Sequence, residues 1–160
     1  MIVLVRHPIA VARSVRELGW IDHDDLEHAF EHEVTRWCHA HAHAFADERL
    51  SDVHFVDYAT LRENPTEQLA SIVAYASARD RTWRSLKVGR IDVERSSSTN
   101  FRGTTTSKES AHTWHGVSDS LIEFALTTLD AHGLSAIYGV NARALCDLNE
   151  FAQACRLRRG

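Results

Sequence analysis

The stretch Ile2-Val3-Leu4-Val5-Arg6-His7-Pro8-Ile9 decides the fold class of this 160-residue chain. Its first four residues are a short, continuous apolar run, which predicts a strand buried on both faces. Pro8 suits the first turn of a helix, and apolar residues recur at helical spacing from there to Gly19. The chain therefore opens as strand, turn and helix, an arrangement in which backbone N–H groups face an anion.

Helix and strand continue to alternate further along the chain. Apolar residues at steps of three and four predict a long helix from residue 24 or 25 to about 48. Residues 53–56 predict a second strand, and a helix with Thr66 as its N-cap should run from there to about residue 78. Strands separated by helices indicate parallel pairing and an α/β fold.

The remainder of the chain combines a loop with two helices. Residues 90–113 are rich in Ser and Thr with almost no apolar periodicity, which predicts a flexible loop, longer than the ~12–15 residues usual for such a connection. Helices are predicted over residues 121–132, where Gly133 stops the helix, and over residues 142–155. Without an internal repeat, one domain over residues 1–160 is sufficient.

Composition excludes several classes of function. A net charge of −4, from 18 basic and 22 acidic residues, argues against a general nucleic-acid binder. Cys38, Cys146 and Cys155 are widely spaced, so neither a disulfide framework nor a zinc knuckle is predicted, and a reduced cytoplasmic setting fits best. There is no signal-peptide pattern and no apolar run near the ~20 residues that span a bilayer, so we expect a soluble protein without membrane contact.

Residues 3–14, Val3-Leu4-Val5-Arg6-His7-Pro8-Ile9-Ala10-Val11-Ala12-Arg13-Ser14, resemble the 3′-phosphate-binding segment of the sulfotransferase family. In that family an apolar strand ends in arginine, often as Arg-x-Pro, and a serine follows eight residues later in the next helix. A guanidinium fork and a hydroxyl placed in this way can reach one phosphate lying over the turn. The resemblance implies that Arg6 and Ser14 bind the 3′-phosphate of the sulfate donor.

Two later segments resemble the same family, in the family's order. Residues 53–65 are similar to its strand followed by Tyr-Glu-Asp-Leu and a Glu-Asn-Pro turn, with Ala59 and Thr60 here in place of the acidic pair. The family counterpart of Tyr58 lies near the adenine of the donor. The run Asn100-Phe101-Arg102-Gly103, with Trp114 downstream, resembles the Arg-Lys-Gly loop and Trp that close over the 3′-phosphate. The lysine of the family motif is absent here, so the resemblance implies a donor-binding role only for Arg102 and Gly103.

The resemblance implies a partial, P-loop-NTPase-like three-layer fold with few parallel strands and mostly helices. It also implies 3′-phosphoadenosine-5′-phosphosulfate as co-substrate and transfer of a sulfuryl group to a hydroxyl or amine of an unidentified small molecule or glycan. The family's glycine-rich donor loop and its general base precede the opening strand and have no counterpart in this sequence. A general base accelerates such a reaction by ~10²–10⁴-fold, and a charge-stabilising donor by a further ~10²–10³-fold. We therefore expect no catalytic residue and negligible activity from this chain alone.

Each candidate residue also has a purely structural interpretation. Arg6 could form a surface ion pair, Ser14 could be a helix-interior hydroxyl, and Tyr58 could be a half-buried core aromatic. Arg102 could be a solvated charge in a Ser- and Thr-rich loop. For the whole chain, the alternative is a non-catalytic remnant that binds other proteins, or itself, through an exposed sheet edge.

The long helix carries histidines opposite its apolar stripe. His28 and His32, and likewise His39 and His43, are i, i+4 pairs, a spacing that can hold zinc or nickel. That face should be solvated and should offer no pocket, so we predict no metal site.

Overall fold

The computed structural model describes residues 1–18, 25–80, 114 and 116–158. This part of the chain is a mixed α/β fold that is mainly helical. Its elements are β1 (Ile2–Val5), α1 (Pro8–Glu17), α2 (Leu26–Ala46), a 3-10 turn (Glu48–Leu50), β2 (His54–Asp57), α3 (Tyr58–Glu63), α4 (Pro65–Arg79), α5 (Asp119–Ala131) and α6 (Leu148–Leu157). The predicted loop over residues 90–113 lies outside the described residues.

The two strands lie side by side and run in the same direction, which confirms the predicted parallel pairing. Ile2 is paired with His54, and Val5 is paired with Asp57, so both strands end at the same level. The prediction that β1 is buried on both faces is wrong. Ile2 is 39% exposed and Leu4 51% exposed, because the described residues place no helix over that face and no strand beside the other edge of β1.

The first two helices begin where the sequence predicts. Pro8 occupies the first turn of α1, and the Asp25 side chain caps α2 by accepting hydrogen bonds from the backbone N–H groups of Glu27 and His28. The predicted apolar stripe of α2 is buried in its middle and at its end, although Leu26 at its start is exposed. The buried members of the stripe are Phe30, Val34, Trp37 and Phe45.

Three helix starts differ from the prediction, and the smallest change is in α5, which begins at Asp119 rather than at residue 121. Thr66 is not the N-cap of α4, because Pro65 already occupies the first helical position and Asn64 precedes it as the cap. The last helix begins at Leu148 rather than at residue 142. Its N-cap is Asp147, and Leu145 just before it donates its backbone N–H to the Ile137 carbonyl at 2.9 Å, which fixes this segment outside the helix.

The core lies between α2 and the elements packed on it, namely α1, α5 and α6, with β2 beneath α6. Its largest fully buried side chains come from α1, α2, α5 and the segment that follows α5. These are Tyr138, Phe30, Phe45, Ile9, Leu129, Leu134 and Ile137. Within the described ranges, none of the helices has the length and apolar content needed to cross a bilayer. Cys38, Cys146 and Cys155 are free thiols.

Candidate functional site

The carboxyl ends of the two strands bring two predicted site residues together. Arg6 directly follows β1, and Tyr58 directly follows β2. Because Val5 and Asp57 are paired in the parallel ladder, the next residue of each strand emerges at the same edge of the sheet. The guanidinium carbon of Arg6 lies 5.1 Å from the centroid of the Tyr58 ring, within the range of a cation–π contact.

A second guanidinium lies against the same ring. Arg62 follows Tyr58 by one turn of α3, and its guanidinium carbon is 5.6 Å from the Tyr58 ring centroid. Residues four apart on a helix share a face, so α3 presents this arginine and the tyrosine in one direction. Sequence analysis did not single out Arg62, and the i, i+4 spacing from Tyr58 is the signal that would have found it.

The neighbours of Arg6 act on its pKa in both directions. Burial is the main cause that lowers the pKa of Arg6, and the charges of Arg13 and Arg62 lower it further. Tyr58 and Glu17 act in the opposite direction. Glu17 is itself paired with Arg13, whose Nε lies 3.2 Å from a carboxylate oxygen of Glu17. We refer to Arg6, Arg13 and Arg62 as the arginine cluster.

Ser14 is half-buried on α1, one residue beyond Arg13 of the arginine cluster. Within the part of the chain that the structure describes, no hydrogen bond joins the Ser14 hydroxyl to Arg6. The other two predicted site residues, Arg102 and Gly103, lie outside the described residues. Of the predicted set, the structure therefore brings Arg6 and Tyr58 into contact and places Ser14 next to a neighbour of Arg6.

Asp57 fixes the position of Tyr58. Its carboxylate is buried and accepts hydrogen bonds from the Thr60 backbone N–H at 2.8 Å and the Thr60 hydroxyl at 2.7 Å, which caps α3. The Tyr138 hydroxyl donates a further hydrogen bond to it at 2.7 Å. The sequence analysis did not identify Asp57, although an Asp directly before a helix with Thr three positions later is a recognisable capping pattern.

His7 and Trp114 form a second contact beside Arg6. His7 is buried, accepts a hydrogen bond from the Ile9 backbone N–H at its Nδ1, and lies with its Nε2 2.9 Å from the Gly139 carbonyl. This pattern requires a neutral ring with its proton on Nε2. The ring centroids of Trp114 and His7 are 4.6 Å apart. Trp114, which follows the predicted loop, is therefore held beside His7, which follows Arg6.

A separate cleft of about 360 Å³ runs along the outer side of β2, between α4 and the start of α6. Two of its polar side chains contact other parts of the chain. The Asn149 side chain pairs with the backbone of Phe55, accepting from its N–H at 2.8 Å and donating to its carbonyl at 3.1 Å. Arg143 in the lining lies 3.4 Å from a carboxylate oxygen of Glu63. The first contact joins β2 to α6, and the second joins the segment before α6 to α3.

The histidine face of α2 is exposed to solvent, as predicted. The rings of His39 and His43 are 4.6 Å apart and meet edge to face. Among the residues with a described position, no group of three or more His, Cys, Asp or Glu side chains is arranged to hold a metal ion. His41, on the apolar side of the helix, instead stacks on Trp37 at 3.9 Å.

The arrangement at the carboxyl edge can attract an anion, because it combines a half-buried guanidinium, two neighbouring arginines and an aromatic support. Its chemistry has to be inferred from these side chains. No protein-family model matches this sequence, and comparison with curated proteins and with solved structures gives no match either.

Proposed function

We propose that this chain is a sulfotransferase-family domain that binds the 3′-phosphate of 3′-phosphoadenosine-5′-phosphosulfate, or of its desulfated product. The observation that carries the proposal is the contact between Arg6 and Tyr58 at the carboxyl edge of a parallel sheet. Ligands of open α/β folds bind at this edge. The two residues come from separate segments that each resemble the family, and their side chains are in contact at this edge of the sheet.

Arg6 is the principal phosphate ligand in this proposal. Its guanidinium provides a fork of N–H donors, and its partly desolvated position makes a charge-assisted hydrogen bond stronger than it would be in bulk water. Tyr58 supports the guanidinium through its ring. Ser14 adds a hydroxyl donor from α1, and Arg102 and Gly103 add contacts from the loop over residues 90–113.

The proposed fold is part of the P-loop-NTPase-like three-layer architecture. Its support is the order β1, α1, α2, β2, in which two adjacent parallel strands are joined through helices. The domain would take part in transfer of a sulfuryl group from the nucleotide to a hydroxyl or amine by in-line displacement. The candidate residues would hold the nucleotide, so the role proposed for them is nucleotide binding.

Isothermal titration calorimetry with adenosine 3′,5′-bisphosphate tests the proposal. We expect the wild type to bind this nucleotide at micromolar to millimolar concentrations. Arg6→Gln should weaken the affinity by about 10- to 100-fold, which corresponds to the loss of a charge-assisted hydrogen bond. Arg49→Gln is the matched control, because Arg49 is exposed, is paired with Asp47 and precedes β2 at the opposite end of the sheet. Adenosine, which lacks phosphate, should give no heat.

Two results would contradict the proposal. The first is the absence of heat from the wild type at millimolar bisphosphate. The second is an Arg6→Gln variant that retains the wild-type circular dichroism spectrum and the wild-type affinity. Either result would leave Arg6 as a structural residue that packs on Tyr58.

A second candidate function is self-association through β1, and the exposure of Ile2 and Leu4 favours it. The outer edge of β2 is covered by the Asn149 side chain, whereas β1 has no described neighbour on its other edge. An antiparallel β1–β1 contact between two copies would cover the exposed leucine and isoleucine. Light scattering after size exclusion should then show a wild-type dimer and a Leu4→Lys monomer. A monomeric wild type at high concentration would exclude this candidate.

A further inference from the structure

The His7 side chain joins three segments that lie far apart in the sequence. It directly precedes α1, its Nε2 lies 2.9 Å from the carbonyl oxygen of Gly139, and the centroids of its ring and of the Trp114 ring are 4.6 Å apart. Trp114 is held in turn, because its Nε1 donates a 2.6 Å hydrogen bond to the Val140 carbonyl. His7 is 1% exposed, so both nitrogens of its ring depend on partners within the protein.

His7 is also the N-cap of α1. Its Nδ1 accepts a hydrogen bond from the Ile9 backbone N–H at 3.2 Å, and this N–H is one of those that have no intrahelical partner at the start of a helix. An imidazole nitrogen can accept a hydrogen bond only while it carries no proton. The cap therefore exists in one form of the ring, the neutral tautomer whose Nε2 carries the proton and donates it to the Gly139 carbonyl.

A proton on Nδ1 would destabilise this junction in three ways. The Nδ1–H group would face the Ile9 N–H, so two donors would meet and the cap would be lost. The added charge would lie at the amino-terminal end of α1, which is the positive end of the helix dipole. The charge would also be buried beside the rings of Trp114 and Tyr138, whose centroids are 4.6 Å and 5.0 Å from that of His7.

The charged and titratable groups described around His7 do not offset its burial. Asp57, at the end of β2, favours the protonated ring, but its carboxylate already accepts a hydrogen bond from the Tyr138 hydroxyl. Tyr138 itself stays neutral, because burial raises its pKa far above the ordinary value. Arg6, the residue before His7, stays positively charged in acid. Burial therefore prevails over the effects of the Gly139 carbonyl and Asp57, and it lowers the pKa of His7 to about 4.

We propose that His7 is an acid-sensitive latch. The neutral ring holds the start of α1, the segment at residues 138–140 and Trp114 together, and a proton on Nδ1 uncaps α1 and releases Trp114 while the helices of the core remain packed. The packing of α2 against α5 and α6 is made by other side chains, such as Phe45, so it does not require the latch. Because His7 follows Arg6, the latch would also let pH regulate the proposed anion site, and this consequence alone rests on the proposed function.

NMR spectroscopy of the isotopically labelled protein, titrated from neutral pH to about pH 4, tests the latch. We expect the Ile9 amide and the Trp114 indole resonances to shift with a common midpoint at about pH 4, while core amides such as that of Val34 keep their native positions. Comparison with Trp114→Phe assigns the indole resonance. His7→Asn should abolish the shift of the Ile9 amide, since asparagine is a favoured N-cap that does not titrate. His41→Gln is the matched control, because it removes a histidine of α2 whose pKa is also lowered by burial, and both resonances should shift as in the wild type.

The ring of His7 provides a second measurement that needs no variant. Long-range proton–nitrogen correlations distinguish the two neutral tautomers, and we expect Nε2 to carry the proton at neutral pH. A neutral ring with its proton on Nδ1 would overturn the proposal, because such a ring cannot accept the Ile9 N–H and cap α1.

The outcomes of the titration separate a latch from general acid unfolding. A common midpoint for Ile9 and Trp114 that His7→Asn abolishes supports the latch. The latch is overturned if both resonances keep their native positions until the core amides unfold with them, or if folded His7→Asn shows the wild-type shift of Ile9. These measurements use no nucleotide, so a failed latch leaves the proposed function standing, and failed nucleotide binding leaves the latch standing.

Discussion

The hydroxyl of Tyr138 donates a 2.7 Å hydrogen bond to Asp57 Oδ1 across 81 residues of sequence. Both side chains are buried, and burial together with the Asp57 charge raises the pKa of Tyr138 far above its ordinary value. The bond ties the end of β2 to the segment that follows α5. Since Asp57 also caps α3, the same bond positions the ring on which Arg6 and Arg62 lie.

Replacing Tyr138 with Phe should lower the free energy of unfolding by about 1.5–3 kcal/mol, because it removes a hydrogen bond to a buried charged group. Denaturant unfolding followed by circular dichroism measures the change. Tyr75→Phe is the matched control: the Tyr75 hydroxyl bonds the backbone carbonyls of Met1 and Asp52 at an exposed position, so its loss should cost less than about 1 kcal/mol. Equal costs for the two variants would contradict the central role of Tyr138.

Stability should fall in mild acid because of His7. Burial, the largest cause, lowers the pKa of His7 from 6.5 to about 4, against smaller opposing effects of the Gly139 carbonyl and Asp57. Between these pH values the unfolded chain binds more protons than the folded chain. The stability associated with neutral His7 is therefore fully present above pH 6.5 and falls as the pH falls towards about 4, by a total of about 3 kcal/mol in the free energy of unfolding.

The measurement is the free energy of unfolding as a function of pH for the wild type and for His7→Gln. The variant cannot titrate at this position, so its slope between pH 6.5 and about 4 should be shallower. Burial also lowers the pKa values of His41 and His54, and these side chains should leave a residual slope of the same sign. Identical slopes for both proteins would show that His7 is not the group responsible.

Gly133 should tolerate a side chain less well than Gly139 does. It ends α5 with φ +70°, and the N–H groups of Gly133 and Leu134 bond the carbonyls of Asp130 and Leu129, which is a Schellman motif. Gly133→Ala should cost about 1 kcal/mol through backbone strain, although no atom within 4 Å would touch the new methyl group. Gly139→Ala is the control, because its methyl group would lie at an ordinary contact distance of 3.6 Å from Leu145. In thermal unfolding, the midpoint temperature of this variant should be closer to that of the wild type.

Asn149→Ala should destabilise the fold by about 1–3 kcal/mol, because it leaves the N–H and carbonyl of buried Phe55 without their partner. Asn149→Asp should also be destabilising, since a carboxylate can accept from the Phe55 N–H but cannot donate to its carbonyl. Exposed Asn141→Ala provides the control for an asparagine outside this contact. Hydrogen exchange at the Phe55 amide should accelerate in both Asn149 variants, and an unchanged rate would exclude the proposed pairing.

Local sequence patterns predicted the elements whose formation depends on near neighbours. The strand at residues 2–5, the helix opened by Pro8 and the long helix capped by Asp25 follow from apolar spacing and capping chemistry, which act within one or two turns. The parallel pairing of β1 and β2 followed from the intervening helices. The predictions were wrong where the structure depends on contacts between residues that are distant in the sequence. The exposure of Leu4 depends on what covers β1, and the late start of α6 depends on the bond between Leu145 and Ile137.

By itself, the sequence determined which residues end the two strands. The resemblance of both segments to one family made Arg6 a candidate phosphate ligand and Tyr58 a candidate neighbour of the adenine. Only the tertiary structure decided that the arginine lies against the tyrosine ring, that Arg62 shares this ring, and that Asp57 and Tyr138 anchor the arrangement. The physical reason is the range of the interactions. Helix and strand periodicity extends over a few residues, whereas the contacts of Arg6 with Tyr58 and of Asp57 with Tyr138 join side chains tens of positions apart. The packing of whole elements brings these side chains together.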